Sequence, residues 1–327
     1  MSMKYAVITG FLGGMKDRFH SHYGQQRTIA EKFALASKIE GIKGLELIYP
    51  YDCPDVNQIK ELQAQYGLEI AAINVNVKAE PDFRDGSYTN PSSKVRKLAM
   101  EYTAGAIEAA AQLGSNLVTC CPLADGHDVS FQTDYRQDFK RLKSAVNEAA
   151  LIDPSVRLSL EYKPTEPRVS CYLDTAATTL LLVEDVGHKN LGVTLDIGHS
   201  LCAGETPARA AALLGEYNRL FYVHVNDNNR AWDWDLVPGT EHIWALVEFL
   251  VYLKFYPHAG WYTADMMPAR IDPIKGFSQT YRVMERFQQV ADRIDLAHLQ
   301  DLTAHGDVSD VYDFLWSLLG DWGGSQK

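Results

Sequence analysis

The chain has 327 residues, of which 46% are hydrophobic, so it is long enough to bury a sizeable core. Its 42 acidic residues outnumber its 31 lysines and arginines, and this formal charge of −11 argues against nucleic acid as a partner, because affinity for the phosphate backbone comes from clustered basic residues. No apolar run approaches the roughly 18 residues of a membrane span, and no signal peptide is expected at the N-terminus.

The five cysteines are odd in number and have no framework spacing, which predicts reduced, mostly buried thiols in a cytoplasmic protein. Their spacing also differs from that of a zinc knuckle, so the sequence argues against a metal bound by cysteine. The five are Cys53, Cys120, Cys121, Cys171 and Cys202.

Short apolar runs alternate with segments of helical spacing along nearly the whole chain. The runs predict eight strands, at residues 5–9, 44–48, 69–75, 116–121, 157–162, 192–196, 221–226 and 260–264. Between them the spacing predicts helices at residues 28–39, 56–66, 95–113, 138–150, 175–186, 207–214 and 241–252. Eight strands that are each followed by a helix predict an α/β fold, a (β/α)8 TIM barrel.

The competing fold is a doubly wound open sheet that binds a dinucleotide. That fold would need a Gly-x-Gly-x-x-Gly turn after the first strand, and Gly10-Phe-Leu-Gly-Gly-Met does not fit it. We therefore expect residues 1–272 to form a catalytic barrel. Residues 273–327 would supply the last barrel helix and a helical extension, which includes a pattern at 308–319 and is interpreted as a subunit contact or a cap on the barrel bottom. A homo-oligomer, either a dimer or a tetramer, is expected.

Four successive predicted strands each end with a residue that can bind a metal. Because the C-terminal ends of the strands form the active face of such a barrel, we expect these side chains to meet at one rim. A set of carboxylates with one imidazole suits a hard divalent ion, Mn²⁺ or Mg²⁺, with Co²⁺ or Zn²⁺ as alternatives. The four residues are Glu161, Asp196, His224 and Asp265.

A second set of ligands follows in the loops. His199 lies one turn beyond Asp196, and Asp233 and Asp235 share one side of their loop. If Asp196 bridged, these residues could hold a second ion and form a two-metal site. The alternative is that each aspartate at a strand end caps the next helix.

The segment Glu161-Tyr-Lys163-Pro-Thr-Glu166-Pro-Arg168 resembles the strand-five motif of xylose isomerases and L-rhamnose isomerases. The acid-x-x-His of strand six, the His and Asp-x-Asp of strand seven and the Asp of strand eight are similar as well. The resemblance implies that Lys163 lies beside the substrate carbonyl, and that metal ions promote a hydride shift from C2 to C1 of a sugar. Tyr162 replaces the usual proline of the motif, and one extra residue precedes Asp233.

Other candidate residues lie outside these motifs. His127, which follows strand four, is expected over the barrel mouth, in ring opening or proton transfer. It joins Glu161, Lys163 and Asp265 as the predicted catalytic residues. The residues expected to contact the sugar are Glu46, Arg168, Trp232 and Trp234.

The leading functional hypothesis is an aldose–ketose isomerase for an unphosphorylated monosaccharide, since the last loops lack a glycine-rich phosphate cradle. If the second ion were absent, carboxylate proton transfer would remain, as in ketose 3-epimerases, although these usually carry Glu where Asp265 stands. A third hypothesis is a lyase that cleaves C-glycosides after 3-oxidation and works with a small partner subunit. The related barrel endonucleases, which are rich in histidine ligands, fit poorly. A non-catalytic sugar-binding barrel would leave Lys163 and the metal set unexplained.

Overall fold

Eight parallel strands close into a barrel in the computed structural model, which describes residues 3–14, 25–256, 258 and 260–320. Each strand pairs with its neighbours in the chain, and the first closes against the last through Lys4 and Trp261. The TIM barrel prediction is therefore confirmed. The strands are β1 (Lys4–Ile8), β2 (Ile42–Tyr49), β3 (Glu69–Val75), β4 (Leu117–Cys120), β5 (Arg157–Glu161), β6 (Leu191–Asp196), β7 (Leu220–Val225) and β8 (Trp261–Ala264).

Helices cover the outside of the barrel, and each predicted helix is present with ends shifted by a few residues. They are α1 (Ile29–Ala36), α2 (Val56–Tyr66), α3 (Ser93–Leu113), α4 (Tyr135–Ile152), α5 (Ala176–Val186), α6 (Ile197–Cys202), α7 (Pro207–Glu216), α8 (Ile243–Phe255), α9 (Pro273–Arg293), α10 (Leu296–His305) and α11 (Val308–Gly320). Glycines in the left-handed conformation, Gly67 with φ 65° and Gly114 with φ 75°, end α2 and α3.

Two elements at the ends of β4 to β6 were not anticipated from the sequence. The first is α6, which begins directly where β6 ends. The second is a small antiparallel sheet of Gly126–His127, Thr165–Glu166 and Val169–Cys171, which joins the loops after β4 and β5. Both are too short to produce a recognisable periodicity in the sequence.

The segment after β8 begins with the eighth barrel helix. Tyr281 of α9 stacks on Tyr5 with ring centroids 4.7 Å apart and donates a hydrogen bond of 2.9 Å to the Ala6 carbonyl. The extension that follows, α10 and α11, lies beside α8, and residues 321–327 are outside the described part of the chain. Its role as a subunit contact or cap stays a prediction. Among the described residues, we find no helix with both the length and the apolar character to span a membrane.

Strand register sets up the site. His224 of β7 lies opposite Asp196 of β6 and Thr263 of β8. Glu161 of β5 lies opposite Thr194 of β6. Because side chains alternate along a strand, these pairings bring the ends of β5 to β8 to one level at the C-terminal rim.

Candidate metal centre

The structure brings the four rim residues of β5 to β8 together. Glu161, Asp196, His224 and Asp265 each offer one ligand atom, and all four atoms lie within 4.8 Å of one another. The first three side chains are buried, whereas the Asp265 side chain is 17% exposed. The cluster therefore presents its open side to solvent through Asp265.

Glu46 holds the imidazole of His224 from beneath the cluster. Nε2 of His224 donates a hydrogen bond of 3.0 Å to Glu46 Oε2, and Asn74 Nδ2 donates one of 2.7 Å to the other carboxylate oxygen. Nδ1 of His224 consequently points towards Glu161 Oε1 at 3.2 Å and Asp265 Oδ2 at 3.3 Å. Glu46, expected to touch the sugar, is instead completely buried and sets which imidazole nitrogen faces the cluster.

Asp196 both caps a helix and belongs to the cluster. Its Oδ1 accepts a hydrogen bond of 2.8 Å from the backbone N–H of His199, which caps α6, and Asn226 Nδ2 donates to both carboxylate oxygens at 3.2 and 3.0 Å. Asn226 Oδ1 accepts from the N–H of Gly198 at 2.7 Å. A Cβ at Gly198 would lie 2.6 Å from that oxygen, so only glycine permits this contact.

The electrostatics of the cluster favour a bound cation. Burial, with the neighbouring charges of Asp265, Glu161 and Asp233, raises the pKa of Asp196 to about 7 despite the opposing effect of His199. Burial would lower the pKa of His224, but the charges of Glu46 and Glu161 outweigh it and raise that pKa well above its usual value. The buried carboxylates of Glu46 and Glu161 thus favour positive charge on the imidazole, and a divalent ion would supply this positive charge instead. The donor set therefore fits a divalent metal.

The side chains of the predicted second set lie beside this cluster. His199 Nε2 contacts Asp233 Oδ2 at 3.1 Å, and the same oxygen accepts from Lys163 Nζ at 2.8 Å. Lys163 also pairs with Glu166. Burial opposes the charge on Lys163, but Asp233 and Glu166 outweigh it and raise the pKa of the ammonium. The lysine is therefore held as a cation at the cavity wall.

The predicted second set does not form a compact ligand group. Among the described residues, three or more ligand atoms lie mutually within 4.8 Å in only two places, the first cluster and a group of Cys121, Glu161 and His199. Asp233 and Asp235 are in neither group. Asp235 lines the same cavity, where burial and the charges of Asp233 and Asp265 raise its pKa well above normal.

The cluster opens into a cavity of about 250 Å³ at the C-terminal rim. Lys163, Asp233 and Asp265 face it from the late strands, and polar side chains from β3 and the loop after it complete the wall, namely Asn74, Asn76 and Lys78. Phe11 and Ile48 add apolar surface. A larger cavity, of about 680 Å³, lies at the opposite ends of the strands around Asn116 and Arg157, but it holds neither ligand group.

Seven predicted residues do not line this cavity. Three of them, Glu46, Asp196 and His224, are completely buried, whereas His127, Arg168, Trp232 and Trp234 lie elsewhere, and His127 is the clearest case. Asp125 accepts hydrogen bonds from the N–H groups of Ser87 and Thr89 at 2.9 and 2.8 Å and thereby anchors the strand-four loop away from the barrel axis. His127 pairs with Ser170 in the small sheet and packs on Tyr135, in a separate cavity of about 490 Å³. The structure thus does not place His127 over the barrel mouth.

The other predicted sugar contacts are also displaced. Arg168 is exposed and pairs with Asp128. Trp232 and Trp234 pack on each other with ring centroids 6.2 Å apart, and both are about half exposed. None of these side chains lines the cavity of the metal cluster in this structure.

Three residues of the site were not predicted from the sequence. Asn226 lies two residues after His224, so strand alternation could have placed it on the same face. Asn74 lies on β3 next to Glu46, and the register of β2 with β3 could be assigned only from the structure. Cys121 follows β4, where it was treated as an ordinary buried thiol.

The chain is similar to known proteins in both sequence and fold. The family model described as xylose isomerase-like TIM barrel matches residues 33–301. The xylose isomerase of Thermus thermophilus is 27% identical over 194 residues, which cover 58% of this chain and about half (50%) of that enzyme's length. Two solved structures share the fold. One is titled L-ribulose 3-epimerase (TM-score 0.71, 19% identity, 91% of this chain and 98% of that one). The other is titled D-tagatose 3-epimerase-like protein (TM-score 0.70, 23% identity, 89% and 98%).

Proposed function

Because the chain belongs to the xylose isomerase-like TIM barrel family, we propose that it is a divalent-metal-dependent isomerase that interconverts an aldose and a ketose. The substrate would be an unphosphorylated monosaccharide. The observation that carries the proposal is the cavity that two members of the four-residue cluster, Glu161 and Asp265, line together with Lys163. The partial match to xylose isomerase supports the same reaction class.

Glu161, Asp196, Asp265 and Nδ1 of His224 would hold the ion. Their oxygen-rich donor set suits Mn²⁺ or Mg²⁺ best, with Co²⁺ or Zn²⁺ as alternatives. When bound, the ion would act as a Lewis acid that polarises neighbouring oxygens of the sugar.

Lys163 supports the chemistry from the cavity wall. Its ammonium, fixed by Asp233 at 2.8 Å and by Glu166, would donate a hydrogen bond to a sugar oxygen on which negative charge develops. Since both carboxylates keep Lys163 protonated, it would act as a fixed electrostatic donor rather than as a base. Glu46 would keep His224 oriented, and Asn226 would keep Asp196 oriented, through their hydrogen bonds.

A 3-epimerase is the second candidate, and one observation favours it. Asp233, an expected ligand of the second ion, is paired with Lys163, and neither Asp233 nor Asp235 belongs to a group of three or more close ligand atoms among the described residues. With a single ion, the reaction would proceed by proton transfer next to the carbonyl. Asp265, the exposed member of the cluster, would then be one of the two carboxylates that exchange the proton.

The decisive experiment incubates the manganese-loaded protein with a panel of aldoses and ketoses in deuterated water. The proposal predicts an aldose–ketose pair whose product carries no solvent deuterium, which indicates hydride transfer. Deuterium at C3 of a ketose would contradict the proposal and indicate 3-epimerisation. If no free sugar reacted while a 3-oxo-C-glycoside was cleaved, the proposal would be wrong and the lyase correct.

A further inference from the structure

The wall of the cavity across the barrel from the late strands carries a lysine without a carboxylate partner. Lys78, in the loop after β3, lines the cavity and is partly buried. Its Nζ makes neither a hydrogen bond nor an ion pair with any residue in the described part of the chain. The other lysine of the cavity, Lys163, is balanced by Asp233 and Glu166. The early-strand wall therefore presents an unpaired cation to whatever occupies the cavity.

The amide of Asn76 supplies a second free donor on the same wall. Its Oδ1 accepts hydrogen bonds from the N–H groups of Lys78 and Ala79 at 3.1 and 2.9 Å. Two donor partners identify this atom as the amide oxygen, so the other atom is the NH₂ group. Asn76 lines the cavity, and its Nδ2 donates to none of the described residues. The loop after β3 thus offers two donors, Nδ2 of Asn76 and Nζ of Lys78.

We propose that Lys78 and Asn76 bind a carboxylate at the end of the sugar away from its carbonyl, so that the substrate is a sugar acid such as a uronic acid. The inference rests on the proposed function, which puts the carbonyl of the sugar at the metal cluster and Lys163. Strands β5 to β8 supply that side of the cavity, whereas β3 lies across the barrel from them. The far end of a bound sugar then faces the two free donors.

A carboxylate fits these donors better than a phosphate or a hydroxyl group. Its two oxygens accept from an ammonium and an amide N–H together, and such charge-assisted hydrogen bonds are the strong ones. Phosphate groups are typically held by backbone N–H groups, but those of Lys78 and Ala79 already donate to Asn76. A hydroxyl would leave the charge of the partly buried ammonium unbalanced.

The test is isothermal titration calorimetry of the manganese-loaded protein with matched pairs of sugars that differ only at C6. D-glucose with D-glucuronate and D-galactose with D-galacturonate are two such pairs. We expect the wild type to bind at least one uronate about 10- to 100-fold more tightly than its neutral partner. Lys78→Met keeps the aliphatic stem but removes the charge, so it should bring this ratio close to one. Lys78→Arg should restore most of the ratio.

Lys60→Met is the matched control, because Lys60 is exposed on α2 and does not line the cavity. It should keep the wild-type ratio. A wild type that binds no uronate more tightly than its neutral partner overturns the inference. So does a preference that persists in Lys78→Met, which would show that the metal ion binds the carboxylate. Tighter binding of a hexose 6-phosphate than of the matching uronate would also overturn it.

These outcomes are separable from those of the proposed function. Isomerisation of neutral sugars, with no preference for a uronate, would contradict only the role of Lys78. Binding of a uronate that depends on Lys78, without any isomerisation, would support that role and contradict only the proposed reaction.

Discussion

Glu46 shows how a single residue can support the metal cluster without lining the cavity. Its position at a strand end suggested a substrate contact, but its carboxylate lies beneath His224 and accepts from Nε2 at 3.0 Å. Depth below the rim depends on barrel stagger, which the order of residues does not reveal. The four rim residues could be predicted, because each lies at or next to the C-terminal end of its own strand.

Glu46→Gln is expected to weaken Mn²⁺ binding by about 10- to 100-fold, because an amide is a poorer acceptor and holds the imidazole less firmly. Isothermal titration calorimetry on the metal-free proteins measures the effect. Glu69→Gln serves as the control, since the Glu69 carboxylate pairs with Lys4 at the exposed start of β3. Equal Mn²⁺ affinities of Glu46→Gln and wild type would show that Glu46 does not support metal binding.

At the scale of elements, the long barrel strands and helices were predictable because their hydrophobic periods are regular. The helix α6 and the small sheet were not, since each depends on one or two tertiary contacts. Asn226 Oδ1 accepts from the N–H of Gly198 in α6, and backbone pairing of His127 with Ser170 creates the sheet. The small sheet explains why His127 was predicted over the barrel mouth. Nothing in the local sequence indicated that Asp125 anchors the loop towards residues 86–90.

Asp125 is therefore the residue on which the shape of the strand-four loop depends. Its carboxylate accepts from the N–H of Ser87, and from both the N–H and the hydroxyl of Thr89, the latter at 2.6 Å. Asp125→Asn turns one acceptor into a donor that faces these donors, and we expect it to lower the free energy of unfolding by at least about 2 kcal/mol. Urea denaturation measures this loss.

Asp128→Asn is the matched control three residues later. Asp128 pairs with the exposed Arg168, so we expect its loss to change the free energy of unfolding by less than about 1 kcal/mol. Similar values for the two variants would show that Asp125 does not anchor the loop.

At the scale of the whole molecule, the barrel separates stability from chemistry. The described interior is packed by aliphatic and aromatic side chains, whereas buried carboxylates gather at the C-terminal rim. The overall negative charge of the chain would also raise the local concentration of cations near that rim. Composition alone argued against nucleic acid as a partner, whereas the cation was inferred from the residues at the strand ends. Oligomeric state and substrate specificity could not be predicted from the barrel pattern, because they depend on surfaces and loops.

The central claim is that the ends of β5 to β8 form a divalent-metal site. A crystal grown with Mn²⁺ and measured at an X-ray energy where manganese scatters anomalously tests it most directly. We predict an anomalous difference peak bounded by Glu161, Asp196, His224 and Asp265, with Nδ1 of His224 as the imidazole ligand. A map without a peak among these four residues, from crystals saturated with Mn²⁺, would contradict it.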